Sequence, residues 1–334
     1  MTKLLRDVPL SVLDFASYSQ GQTVADGLAF SRDLAIRAER MGYARYWLAE
    51  HHNAEGVGSA ATAVLISHLA AETSRIRVGS GGIMLPNHSP YLVAEQFGTL
   101  GILYPDRIDL GLGRALGTDQ QTARAVRGGR AGVGQDFGDM VQELAMWMAP
   151  PAPRQPVLAI PGAGVDVPIW ILGSSTDSAA LAARLGRPYA FAGHFSPAQM
   201  LPALALYRER FTPSDAHPKP YVMVAAGVVA AEDDARGEYL ATSMYQRFAG
   251  VVQGIIAPLP APVETMGWGG QVEQAVRGIT REMIIGGPDT VARGLQDLLD
   301  RTDADELIIS SDLFNHEDRV RSYEIVAEFA FQPA

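Results

Sequence analysis

Short apolar runs alternate along the chain with longer stretches in which apolar residues recur every three or four positions, the pattern of strands each followed by an amphipathic helix. The runs predict eight strands, at 10–13, 46–49, 77–81, 108–112, 169–172, 190–193, 222–229 and 306–310. The amphipathic stretches predict helices at 27–41, 60–73, 91–103, 137–148, 178–185, 198–211, 233–249, 288–299 and 318–330. Runs such as IWILG and ELIISS are almost wholly apolar, as strands buried on both faces require. Eight strands alternating with helices make an α/β chain whose simplest closed form is a (β/α)8 TIM barrel; a doubly wound open sheet shares the alternation and competes with it.

Length sharpens this reading. A standard barrel takes about 250 residues, so a single barrel domain over 1–334 leaves roughly 80 for insertions. Two Pro- and Gly-rich stretches, at about 149–167 and 250–278, can hold them, and the alternation resumes after each.

Composition removes several kinds of chemistry. With no cysteine there is no disulfide, no iron–sulfur cluster, no Cys-ligated zinc and no thiol nucleophile. The net charge is −10, and residues 232–334 carry all of the excess, with 18 acidic against 8 basic side chains. A nucleic-acid partner would need a basic face, so none is expected. No run of 18 apolar residues exists to cross a membrane, and the first residues lack the apolar core of a signal peptide. A soluble cytoplasmic protein is the expectation.

In a barrel, chemistry sits where strands end. The second strand runs into Glu50, His51, His52 and Asn53, a set that fits proton transfer near neutral pH or an ordinary polar loop. Zinc is not expected there, because adjacent extended residues face opposite ways and the other histidines form neither H-x-H nor H-E-x-x-H spacing. The third strand ends at Gly81 and Gly82, which admit a flat ligand, an unusual backbone dihedral or merely tight packing. Arg114, past the fourth strand, can hold a cofactor anion or pair with Asp119 or Asp109, with Arg124, Arg127 and Arg130 following. After the fifth strand come Gly173, Ser174, Ser175, Thr176, Asp177 and Ser178, which cap a helix, cradle a phosphate, or do both.

Taken together, YWLAEHHN, RVGSGGIMLPNHSP, LYPDRIDLGLGRALGTD and WILGSSTDSAALAARLG resemble the bacterial-luciferase-like family of flavin-dependent oxidoreductases, in its small stand-alone monooxygenase-type branch. The resemblance extends over at least 300 residues, through IIGGPDTVARGLQDLL and ADELIIS. It implies a (β/α)8 barrel that binds reduced FMN, or in one large subgroup the deazaflavin F420, with reduced flavin often supplied by a separate reductase, and a homodimer. It also implies that His51 is the active-site histidine, and that Gly81 and Gly82 form a bulge under the flavin ring through a non-prolyl cis bond. Arg114, Gly173, Ser174, Ser175 and Ser178 then belong to the cofactor site. Light-emitting members carry a cysteine before the arginine; this chain has Gly113.

The reaction implied is transfer of one oxygen atom from O2 to a small organic substrate through a C4a-peroxyflavin, with His51 moving protons and the 250–278 insertion acting as a lid. An F420-dependent hydride transferase, a metal-dependent barrel hydrolase using the EHHN segment and a non-catalytic flavin-binding subunit are the alternatives.

Overall fold

Nine strands form in the computed structural model, which describes residues 3–115, 117–128, 136–214 and 216–331. They are β1 Leu10–Asp14, β2 Arg45–Leu48, β3 Arg77–Met84, β4 Ile108–Gly113, β5 Ile169–Gly173, β6 Tyr189–Phe191, β7 Val222–Ala230, β8 Ile284–Gly286 and β9 Glu306–Ser310. All pairings are parallel, in the order β6-β5-β4-β3-β2-β1-β9-β7, and β6 also pairs with β7. That last pairing closes a barrel of eight strands, so the open sheet is excluded. The helices are α1 Val24–Met41, α2 Thr62–Glu72, α3 Pro90–Leu103, α4 Gln120–Val126, α5 Phe137–Met148, α6 Thr176–Arg184, α7 Met200–Arg210, α8 Asp234–Val252, α9 Gly270–Ile279, α10 Pro288–Thr302 and α11 His316–Ala330. Among the described residues no helix is long and apolar enough to cross a membrane.

Strand alternation sorts the core into two layers. Leu10 and Val12 of β1, Tyr46 and Leu48 of β2, and Val222 and Val224 of β7 pack in the layer between strands and helices. Their neighbours Leu13, Trp47 and Met223 meet Trp170, Ala190 and Ile308 inside the barrel. There the rings of Trp47 and Trp170 stand edge to face at 5.1 Å. Below them, at the amino ends of the strands, Arg45 bridges Asp109 at 2.7 Å and Glu306 at 3.0 Å, while Arg77 holds Asp109 from the other side. Apolar and ionic layers therefore fill the barrel from its floor upward, and open space is left to the carboxyl end.

Three elements differ from the sequence expectation. Strand β8 pairs only with the end of β7 and has three residues, too few to show a period. Helix α4 buries only Ala123 and carries no apolar stripe, while α9 carries a short one, Val272, Val276 and Ile279, inside a Pro- and Gly-rich stretch. Helix α9 lies within the 250–278 stretch, whose preceding loop is fastened over the barrel mouth. Leu259 bridges Ser19 and its carbonyl accepts from the Gln20 N–H, while the Val263 N–H donates to Thr242. The 149–167 stretch leads back to β5 across α3, where Gly98 and Gly162 meet so closely that a Cβ on Gly98 would lie 2.0 Å from the Gly162 Cα.

Candidate active site

Alternation continues past the end of β2 and turns the three polar residues there to two different sides. His51 follows Trp47 and Ala49 toward the barrel axis, and its ring lies 5.6 Å from Phe15, just beyond β1. Across Phe15, at 6.1 Å, stands His194, beyond β6. The Nδ1 atoms of both histidines are enclosed and have no protein partner. Burial and then the Arg247 guanidinium push His51 down to about 4, and burial together with His51 does the same to His194. Both rings are thus neutral near pH 7. Arg247, from α8, is held by Asp312 at 2.9 Å, and Ser17 donates to the same carboxylate at 3.0 Å.

Glu50 and His52 face the other way. Glu50 is almost completely buried. Its Oε1 accepts from the Nε2 of His52 and the Nε2 of His88, each at 2.8 Å, and its Oε2 accepts from the Met84 N–H. Burial favours the neutral acid, but these donors hold the carboxyl below the usual carboxylate range. Sequence reading missed His88, which reaches the group from the turn after β3. The period-two rule already placed Glu50 and His52 on one side; the adjacency of β2 and β3 supplies the third member.

At the end of β3 the pairing slips between Ser80 and Ile83, and the Gly81–Gly82 peptide is cis, as the resemblance implied. A Cβ on Gly82 would lie 2.6 Å from the Gly111 carbonyl oxygen, and one on Gly81 2.6 Å from Leu13 Cδ1. Any larger residue at 82 would press on backbone, so the bulge requires glycine there.

Arg114 pairs with neither Asp109, which lies in the floor of the barrel, nor Asp119, which caps α4. It is exposed and reaches Asp177 at 3.9 Å. Arg114, Asp177 and Ser178 line a cavity of about 560 Å³ together with Arg184, Arg210 and Phe137. Arg124 is exposed, Arg127 is half-buried, and Arg130 lies outside the described residues. The serines divide their work. Ser175 and Ser178 form a reciprocal cap at the start of α6, and the Ser178 hydroxyl also meets the Ser175 carbonyl and Tyr189. Ser178 thus closes the turn, and a Cβ on Gly173 would collide with it. Ser174, on the approach to that cap, is half-buried.

The family model described as luciferase-like monooxygenase matches residues 10–305. The chain belongs to the luciferase-like monooxygenase family. A luciferase-like monooxygenase of Escherichia coli (strain K12) is 45% identical over 97% of this chain and 97% of its own. The crystal structure of apo-MsnO8 superposes with a TM-score of 0.91 at 37% identity, covering 98% of this chain and 100% of that one. The oxygenating constituent of 3,6-diketocamphane monooxygenase from Pseudomonas putida, solved in complex with FMN, shares the fold. Its TM-score is 0.67 at 18% identity, over 97% of each chain.

The residues present fit a flavin. Two enclosed imidazole nitrogens without partners, a glycine-only bulge at the end of the neighbouring strand β3, and Arg114 beside the opening turn of α6 provide, in turn, polar contacts, room for a flat ring and an anion site.

Proposed function

We propose that this luciferase-like monooxygenase uses reduced FMN and O2 to oxygenate a small organic substrate at the carboxyl end of its barrel. The observation that carries the reading is the pair of buried imidazoles of His51 and His194, both close to Phe15 and each with an unpartnered Nδ1. When bound, reduced flavin supplies the electrons that activate oxygen; the protein binds, orients and shields. Gly81 and Gly82 lay bare the backbone beside the ring. Arg114, Ser174 and the N–H groups at the start of α6 receive the phosphate, with Gly173, Ser175 and Ser178 shaping that turn. His51 accepts or returns a proton at Nδ1, and burial together with Arg247 keeps the imidazole neutral between those events. The loop fastened at Leu259 shields this end of the barrel from water.

Anaerobic titration with reduced FMN and with reduced F420, followed by mixing with oxygen, tests the reading. Saturable FMN binding with oxygen uptake is the expected result. Preference for F420, or tight flavin binding without oxygen uptake, overturns it in favour of hydride transfer or a non-catalytic subunit.

A homodimer belongs to the same proposal. Val64 on α2 and Leu92, Ile102 and Leu103 on α3 are large apolar residues left exposed on neighbouring helices. Ile102→Asp should reduce the light-scattering mass from two chains to one, and a monomeric wild type would end the idea. A flavin reductase is the partner the chemistry requires, and reduced cofactor from such an enzyme fits a cytoplasmic setting.

A further inference from the structure

Among the described residues four carboxylates are buried to 1% exposure or less: Asp14, Glu50, Asp109 and Glu306. Three of them have arginine partners. Asp14 meets Arg319, Asp109 meets Arg45 and Arg77, and Glu306 meets Arg45. Glu50 is the exception, its only ion-pair partners among the described residues being His52 and His88. A buried carboxylate without a permanent cation is costly to keep charged. Two imidazoles and a carboxylate converging on one point supply what a divalent metal needs.

We propose that Glu50, His52 and His88 form a binding site for a first-row divalent cation, with zinc as the representative ion. One donor atom from each lies within 4.8 Å of the others. Tetrahedral zinc at about 2.0–2.2 Å from nitrogen and oxygen ligands sets its donors a little over 3 Å apart. The present 2.8 Å spacings to Glu50 therefore need to open only by a few tenths of an ångström. To ligate the ion, each ring turns an unprotonated Nε2 toward it and carries its remaining proton on Nδ1. The Met84 N–H already fixes the second oxygen of Glu50, as outer hydrogen bonds fix ligating carboxylates elsewhere. His52 and His88 are partly exposed, which gives an ion access and leaves a fourth position for water. Two histidines and a glutamate with an open position make a catalytic type of zinc set. It lies one residue from His51 but on the other side of the chain, so the metal site and the imidazole pair do not share ligands.

Chelator-stripped protein titrated with zinc chloride in the absence of flavin tests the site independently of the flavin reading. One equivalent should bind, and His88→Gln and Glu50→Gln should each weaken binding by about tenfold or more. His51→Ala, on the opposite side, should bind zinc like the wild type. His88→Gln alters a partly exposed residue, and circular dichroism will show whether each variant is folded. If the wild type binds no stoichiometric zinc, or if folded His88→Gln binds it equally well, the cluster is a hydrogen-bonded brace and the proposal fails.

Discussion

Asp14→Asn is expected to lower the unfolding free energy by about 3–5 kcal/mol at neutral pH, the usual cost of leaving one member of a buried ion pair alone. Asp14 ends β1 with no exposure and accepts from Ser31, Tyr46, the Ala16 N–H and Arg319, whose guanidinium is itself buried. Burial would raise its carboxyl, but Arg319 and the hydroxyl donors hold it below the ordinary range. The sign of the pH dependence follows. A carboxyl depressed in the folded state contributes its full stability above the unfolded value, near 3.9, and loses it as pH falls through the lower folded value. The gap between wild type and variant in urea denaturation should be widest near pH 7 and narrow in acid. A gap that stays constant with pH would show that Asp14 acts by shape and not by charge. Replacing Asp14 and Arg319 together by apolar residues should cost less than Asp14→Asn alone.

His51→Ala should lower turnover by about 10²–10⁴-fold, the range for loss of a positioned proton-transfer group, while FMN affinity stays nearly the same. The ring is one of several surfaces a flavin would meet, and it stands three residues past the end of β2, as His194 stands three past the end of β6. Steady-state turnover with a reductase, alongside FMN titration, separates the two effects. Unchanged turnover would remove His51 from the chemistry, and an equal loss of FMN affinity would make it a binding residue.

Much of the barrel could be read from residue order, because buried strands and amphipathic helices leave periods in the sequence. The same alternation, read from residue order alone, turns His51 away from Glu50 and His52. Long-range partnerships leave no such trace. Asp14 and Arg319 lie 305 positions apart, and His88 joins Glu50 from the end of a different strand, so only the closed barrel brings them together. The serines after β5 show a different limit. One hydroxyl pattern serves both a helix cap and an anion cradle, and side-chain geometry was needed to assign Ser178 to closing the turn. Helix α4 leaves no period because it buries only one residue, and the stripe of α9 is two turns long within a Pro- and Gly-rich stretch that reads as a loop.

The charged floor formed by Arg45, Asp109, Glu306 and Arg77 has a consequence for traffic. Salt-bridged and capped by tryptophan, it closes the amino end of the barrel and leaves the carboxyl end for ligands to enter. Two ligands that share one doorway pass through it in sequence, and the one seated deeper arrives first and departs last. For the flavin and substrate of the proposed reaction, order of addition would then be set by the closed base as much as by affinity at the mouth.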